Sequence, residues 1–254
     1  MPWNPQQFLC FADHRLRPAI DLLARIDHRA PQTIVDLGCG PGNVTALLAA
    51  RWPQAAITGI DNSPEMLATA AKITAVLWQQ ADIGCWQPAE PVDIVFSNAA
   101  LHWLKQHEML FPRLARSLAR GGILAVQMPY NFASPSHTTA KELVEEGPWR
   151  EKLLPHFLGS PVATAEEYYR LLAPLSSALD IWQTEYLHIL EGENPVAQWA
   201  RGTLLVPLLA ALTVRERAEF EAEYRRRIQA AYPPRVDGKT LLPYRRLFIV
   251  VKLG

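Results

Sequence analysis

The sequence predicts an α/β protein, with a doubly wound, largely parallel sheet and a helical cap. Two observations carry this expectation. Between residues 33 and 128, short apolar runs alternate with segments of helical periodicity, as consecutive right-handed βαβ units require. Beyond residue 130 the alternation gives way to proline-punctuated helical stretches, and strand-like runs return only near 181–190 and 246–253.

The elements follow in order. The first apolar run, 33–37, ends in glycines and leads into a helical pattern over 44–52. A second run, 57–60, ends at Asp61; Ser63 then reads as an N-cap and Pro64 as the first helical residue, opening a helix over 65–72. A third run, 75–80, ends close to Asp82, and a fourth, 92–96, ends close to Asn98. A helix over 109–118 leads through Gly121-Gly122 to a fifth strand, 123–128. Residues 135–175 read as irregular helix, with turns at Gly147-Pro148 and Pro155. Two further helical stretches cover 195–212 and 214–232, the second highly charged and therefore solvated on one face. This gives a core over 1–130 with an N-terminal lid segment, a helical cap over 131–245 that includes an edge strand near 181–190, and a closing strand over 246–254.

Composition narrows the function. The 254 residues carry 25 Lys+Arg against 25 Asp+Glu, so the chain lacks the cationic surplus that a phosphate backbone demands. With 49% apolar and 20% charged residues, it is a globular chain and not a disordered one. Three cysteines without a CxxC pair suit a reducing cytoplasm, and seven histidines never spaced as HxxxH predict no metal site. The N-terminal stretch lacks the apolar segment of a signal peptide, and the apolar run 204–212 holds Pro207 and is too short to span a bilayer. The expected partner is a small molecule, with no nucleic acid or membrane, and the expected state is a monomer or weak dimer.

The central motif is Asp36-Leu37-Gly38-Cys39-Gly40-Pro41-Gly42-Asn43, between the first strand and its helix. Glycines there admit positive φ and close approach of a ligand, at the strand ends where open α/β sheets bind them. The loop reads GxGxG with an acid ahead of it, neither the GxGxxG of a dinucleotide site nor a GxxxxGK[ST] phosphate loop. An acid in that place suits a cationic ligand group. Asp61 is placed to accept both hydroxyls of a ribose, and Asp82 to accept from an adenine amino group. Carboxylates at three successive strand ends are costly in a crevice unless a ligand brings donors to them.

The set DLGCGPGN, GIDNSPEML, QQADI and VDIVFSNAALHW resembles the class I S-adenosylmethionine-dependent methyltransferases. That resemblance implies a Rossmann-like sheet of seven strands, the last antiparallel, and S-adenosylmethionine as cofactor, leaving as S-adenosylhomocysteine. Gly38 and Gly40, with the small Cys39 between them, would underlie the methionyl part and ribose, with Asp36 ordering the loop. Asp61 would hold the ribose hydroxyls. Asn62 and Met66 would flank the adenine, Asp82 and the Ile83 amide would read its edge, and Asn98 would accept from the methionyl amino group. Gln7 lies in an N-terminal segment, with Trp3, Gln6 and Phe8, that in similar enzymes folds over the cofactor.

The stretches MPWNPQQFLCFADHRLRPAIDLLA, GGILAVQMP, GPW and RRIQAAYPPRVDGKTLLPYRRLFIVV are similar to the trans-aconitate methyltransferase family. This implies esterification of a carboxylate of trans-aconitate or a related di- or tricarboxylic acid. A carrier-bound malonyl group or a small-molecule hydroxyl is the alternative acceptor. A carboxylate is ionised at pH 7 and needs no general base, so the site should consist of anion clamps in a dry setting. Arginine's planar fork suits the unreactive carboxylates. Arg201, Arg245 and Arg246 are the leading candidates, with Arg17 and Arg150 behind them. Of Arg245 and Arg246, adjacent residues near a strand, one should point inward and one outward. His102 and Trp103, on the rim after the fourth strand, are candidates to meet the substrate, His102 as donor to a carboxylate or, with the alternative acceptor, as base. Gln127, Tyr130 and Asn131 follow the fifth strand on the expected substrate side.

Overall fold

The computed structural model describes residues 12–157 and 159–254, with side chains from residue 16 onward. The elements are α1 (Ala12–Ala24), β1 (Thr33–Leu37), α2 (Asn43–Arg51), β2 (Ala56–Asp61), α3 (Pro64–Ala70), β3 (Leu77–Gln80), β4 (Val92–Asn98), α4 (His107–Arg116) and β5 (Leu118–Pro129). There follow α5 (Pro135–Glu146), α6 (Arg150–Leu153), α7 (Ala165–Leu172), β6 (Ser176–Leu190), α8 (Pro195–Arg201), α9 (Val206–Ala210), α10 (Val214–Ala231) and β7 (Thr240–Leu253).

The seven strands form one sheet in the order β3-β2-β1-β4-β5-β7-β6. β1 to β5 pair in parallel and β7 runs antiparallel to β5. Order reverses between β1 and β4, so the glycine loop after β1 sits at the switch point where such sheets bind ligands. The central strands are buried nearly throughout, whereas β3 at the edge exposes Leu77, which accounts for their apolar runs. Ser63 caps α3 as its sequence predicts, its Oγ accepting from the Met66 N–H at 3.3 Å with Pro64 in the first turn.

Two strands are longer than their apolar runs. β5 begins at Leu118, and its register with β4 shifts between Val92 and Ile94, so the glycine pair 121–122 lies inside the strand and not before it. β7 begins at Thr240, so Arg245-Arg246 lies within the strand. Pro243 lies in this added stretch, ahead of Arg246 where the register with β5 begins, so it takes no donor from that ladder.

The chain divides into two compact units. Of the described residues, the larger holds 12–129 together with Pro161–Thr184 and Arg246–Gly254; the smaller holds those of 130–160 and Glu185–Arg245. The expected cap, 131–245, therefore differs from the smaller unit, because 161–184 belongs with the sheet. The reason is the amphipathic α7. It buries Tyr168 and Leu172, and the Tyr168 ring lies 4.6 Å from Phe111 of α4. Trp182 likewise stacks on Phe248 of β7, rings 4.7 Å apart and 7° from parallel, so it is not a cap residue.

His107 locks this arrangement. Its Nε2 faces the Leu101 carbonyl at 3.0 Å, which only accepts, so Nε2 carries the proton and Nδ1 accepts from the Tyr168 hydroxyl. Burial holds His107 below the ordinary histidine pKa. Tyr168→Phe leaves a buried acceptor without its donor and should lower unfolding free energy by about 1–3 kcal/mol in urea titrations. An unchanged midpoint would remove the tie between α4 and α7.

The smaller unit is helical around α10, which buries Phe220, Tyr224 and Ile228. Trp149 meets Phe220 edge-on at 5.4 Å, and the Tyr224 hydroxyl donates to the Ser136 carbonyl at 2.9 Å. Trp199, His188 and Tyr244 form a second buried aromatic group.

Candidate active site

The glycine loop is left-handed at Gly38, Gly40 and Gly42, with φ of 74°, 55° and 84°. The Gly38 and Cys39 amides donate to the Ile60 carbonyl at 2.8 and 3.0 Å, closing the loop over the end of β2. Trp78 braces it: a Cβ on Gly42 would meet the Trp78 ring at 2.8 Å, and one on Gly59 at 2.3 Å. The sequence reading missed Trp78. Its signal was the bare Gly59 on β2, registered opposite it on β3.

Asp61 ties the loops after β1 and β2 together. Its Oδ2 accepts from the Gly40 N–H and its Oδ1 from the Ser63 N–H, each at 2.9 Å. Each oxygen keeps acceptor capacity for an incoming donor. Asp36 is 2% exposed and accepts from the Thr45 hydroxyl at 2.6 Å, which fixes β1 to α2. Burial raises its pKa to about 7, helped by the Asp61 charge and opposed by Thr45. Burial also pushes the Cys39 thiol far up, which suits a packing residue and not a nucleophile.

Met66 is buried and Asn62 exposed, with the Asn62 carbonyl accepting from the Gln80 side chain at 3.3 Å. Asp82 is exposed beyond β3, and its Oδ1 accepts from the Gly84 N–H at 2.7 Å. The Ile83 side chain reaches back to the glycine loop, 3.6 Å from where a Cβ on Gly38 would lie. Asn98 ends β4, and its Oδ1 is buried with no hydrogen-bond partner among the described residues. The following Ala99 holds a left-handed φ of 55°, strain of the kind that collects at functional turns. His102 and Trp103 form a 3-10 turn next, their rings 4.8 Å apart. Asp36, Gly38, Cys39, Gly40, Asp61, Asn62, Met66, Asp82, Ile83, Asn98, His102 and Trp103 thus all lie in the larger unit, at the carboxyl ends of β1 to β4 or in the segments that follow them.

The three leading arginines separate. Arg246 is 4% exposed in the larger unit, and its Nη1 lies 3.4 Å from Gln127 Oε1. Arg245, in the smaller unit, is 53% exposed along its side chain and pairs with Glu185 at 3.6 Å. The pair thus alternates inward and outward, as a strand requires. Arg201 is also in the smaller unit, 61% exposed and paired with Glu221 at 2.7 Å. Arg17 and Arg150 are exposed. Gln7, Trp3, Gln6 and Phe8 lie outside the described residues.

The larger unit therefore offers a glycine loop that admits close approach, a paired but unsaturated carboxylate, and an orphaned carbonyl oxygen. A ligand with ribose hydroxyls and an ammonium group fits them. Together with the strand order, these features define a class I methyltransferase. Residues 34–122 match the family described as "Methyltransferase domain". A curated trans-aconitate 2-methyltransferase from Azoarcus sp. is 48% identical over 98% of each chain, and one from Methylobacterium nodulans is 47% identical over 98% of each. The chain belongs to the trans-aconitate 2-methyltransferase family. Among solved structures, the YcgJ protein of Bacillus subtilis resembles it with a TM-score of 0.61 at 14% identity, covering 93% of this chain and 98% of that one. A Haemonchus contortus phosphoethanolamine N-methyltransferase resembles it at 0.56 and 17% identity, covering 94% of this chain and 53% of that one.

Proposed function

We propose that the protein methylates one carboxylate of trans-aconitate, or of a closely related di- or tricarboxylic acid, with S-adenosylmethionine as donor. The near-complete coverage of relatives with that name carries the reading, since it includes the segments outside the cofactor loops. When bound, the donor supplies an electrophilic methyl group on a cationic sulfur. Everything else falls to the chain's residues. Asp61 holds the ribose hydroxyls, and Asp82 and the Ile83 amide read the adenine, with Asn62 and Met66 beside it. Asn98 Oδ1 accepts from the methionyl ammonium.

The attacking carboxylate is already ionised, so positioning and exclusion of water supply the acceleration. His102 and Trp103 then act as donors to a substrate oxygen. Arg246 is the buried candidate for the unreactive carboxylates, whereas Arg201 and Arg245 already pair with glutamates at the surface. A carrier-bound substrate would need a free basic patch. Arg225, Arg226 and Arg227, the cluster available for that, pair instead with Glu193, Glu223, Glu142 and Glu146. No described helix is long and apolar enough to cross a membrane. We place the enzyme in the cytoplasm, as a monomer or weak dimer.

Transfer of a tritiated methyl group across a panel of di- and tricarboxylates tests the reading. The label should enter trans-aconitate and be released by mild base, as from an ester. Base-stable label would indicate a hydroxyl acceptor, and label only on carrier-bound malonate would reject the acid.

A titration result should accompany binding. Asp36, with a pKa of about 7, is partly protonated in the free protein. A cation arriving on the loop beside it favours the carboxylate. Binding should therefore release protons near neutral pH and tighten as pH rises through 7. Calorimetric enthalpies should vary with the ionisation enthalpy of the buffer; identical values in phosphate and Tris would refute the linkage.

A further inference from the structure

We propose that the side-chain amide of Gln127 is a direct donor to an unreactive carboxylate of the substrate, with Arg246 fixing its orientation and supplying the countercharge. The proposal rests on the acid-methylating reading above and deepens it. Gln127 is 0% exposed. Its Oε1 accepts from Arg246 Nη1, while its Nε2 is buried with no hydrogen-bond partner among the described residues. A guanidinium only donates, so it holds the oxygen of the amide toward itself and turns the N–H groups the other way. A buried amide donor left unmet is costly, and a ligand acceptor removes that cost.

Register says which ligand. Gln127 on β5 is the direct partner of Asn98 on β4, and on the other side Pro129 pairs with Arg246 of β7. Registered partners, and residues two apart on one strand, share a face of the sheet. Asn98, Gln127 and Arg246 therefore line one face on three successive strands. Asn98 Oδ1 and Gln127 Nε2 are an acceptor and a donor in adjacent positions, yet neither meets a described partner, which suits a site shared by two ligand groups. The ribose-holding Asp61 lies on β2, on the opposite side of β1 and β4. At about 4.8 Å per strand, Arg246 is roughly 19 Å across the sheet from it. The cation and its amide thus stand beyond the donor's methionyl end, where an anionic acceptor enters.

The test compares Gln127→Leu with the wild type by acid KM, by S-adenosylhomocysteine affinity from calorimetry, and with a substrate analogue lacking one carboxylate. The expected result is a KM for trans-aconitate raised about tenfold or more, with S-adenosylhomocysteine affinity within about twofold of wild type. Removing the substrate carboxylate should cost the wild type far more than the variant, a difference that mere loosening of the fold would not produce. Arg246→Lys, which keeps charge but not the fork, should show the same loss of discrimination. If the leucine variant fails to fold, Gln127→Asn is subjected to the same comparison. Unchanged KM, or a loss confined to S-adenosylhomocysteine affinity, overturns the assignment. Wild-type protein that methylates none of the acids would instead sink the functional reading itself.

Discussion

Asp61→Ala should weaken S-adenosylmethionine binding by at least about two orders of magnitude. Two hydroxyl-to-carboxylate hydrogen bonds, each worth about 1.5–3 kcal/mol, sum to that or more. A second loss adds to it, because Asp61 also holds the Gly40 and Ser63 amides at 2.9 Å. Without it, the glycine loop and the turn after β2 lose their common acceptor, and the pocket is no longer set before the ligand arrives. Asp61→Asn separates the two roles. It preserves shape, but it must turn an NH2 group toward one of the two backbone donors and forfeits the charge. Its binding loss should approach that of alanine while its thermal midpoint stays closer to wild type. Calorimetry on both variants, with melting curves as control, decides. Binding within about threefold of wild type for Asp61→Ala would remove the ribose role.

The sheet was legible because its chemistry repeats. Ile34, Val35 and Leu37, and Ile94, Val95 and Phe96, are apolar because both faces of a central parallel strand are covered. The loop glycines and the acids Asp36, Asp61 and Asp82 stood out because positive φ and strand-end carboxylates have few other uses. Long-range partnerships were less legible. Nothing in the spacing of Tyr168 announces that it meets His107, and so 161–184 read as cap although it joins the sheet unit. β7 was foreseen only from Arg246, although it begins at Thr240 and carries Pro243 ahead of the stretch registered with β5. Among the arginines, sequence supplied the alternation but not which one is buried. That depends on Gln127, which sits on the neighbouring strand β5 but is 119 residues away in the chain.

The glycines at 38 and 40 should fail for opposite reasons when replaced by alanine. Both are left-handed, at φ of 74° and 55°, so either substitution costs roughly 1–2 kcal/mol in backbone strain. At Gly38 a Cβ would lie 2.2 Å from the Cβ of Ala100, a distance that forces the loop and the turn after β4 apart. Gly38→Ala should therefore lose stability well beyond the strain term and lower the melting temperature sharply. At Gly40 nothing lies within 4 Å of the added carbon, so Gly40→Ala should fold with only the strain cost. On the proposed reading that space is the ligand's, so S-adenosylhomocysteine affinity should fall while stability largely survives. Ala100→Gly supplies the decisive cross-check. It removes the atom that Gly38→Ala strikes and leaves the nearest contact at the Ala100 Cα, 3.6 Å away. The double variant should recover a large part of the stability lost by Gly38→Ala, a coupling that independent sites do not show. Additive losses in the double variant would mean that the loop is held apart from the β4 turn by something other than this contact.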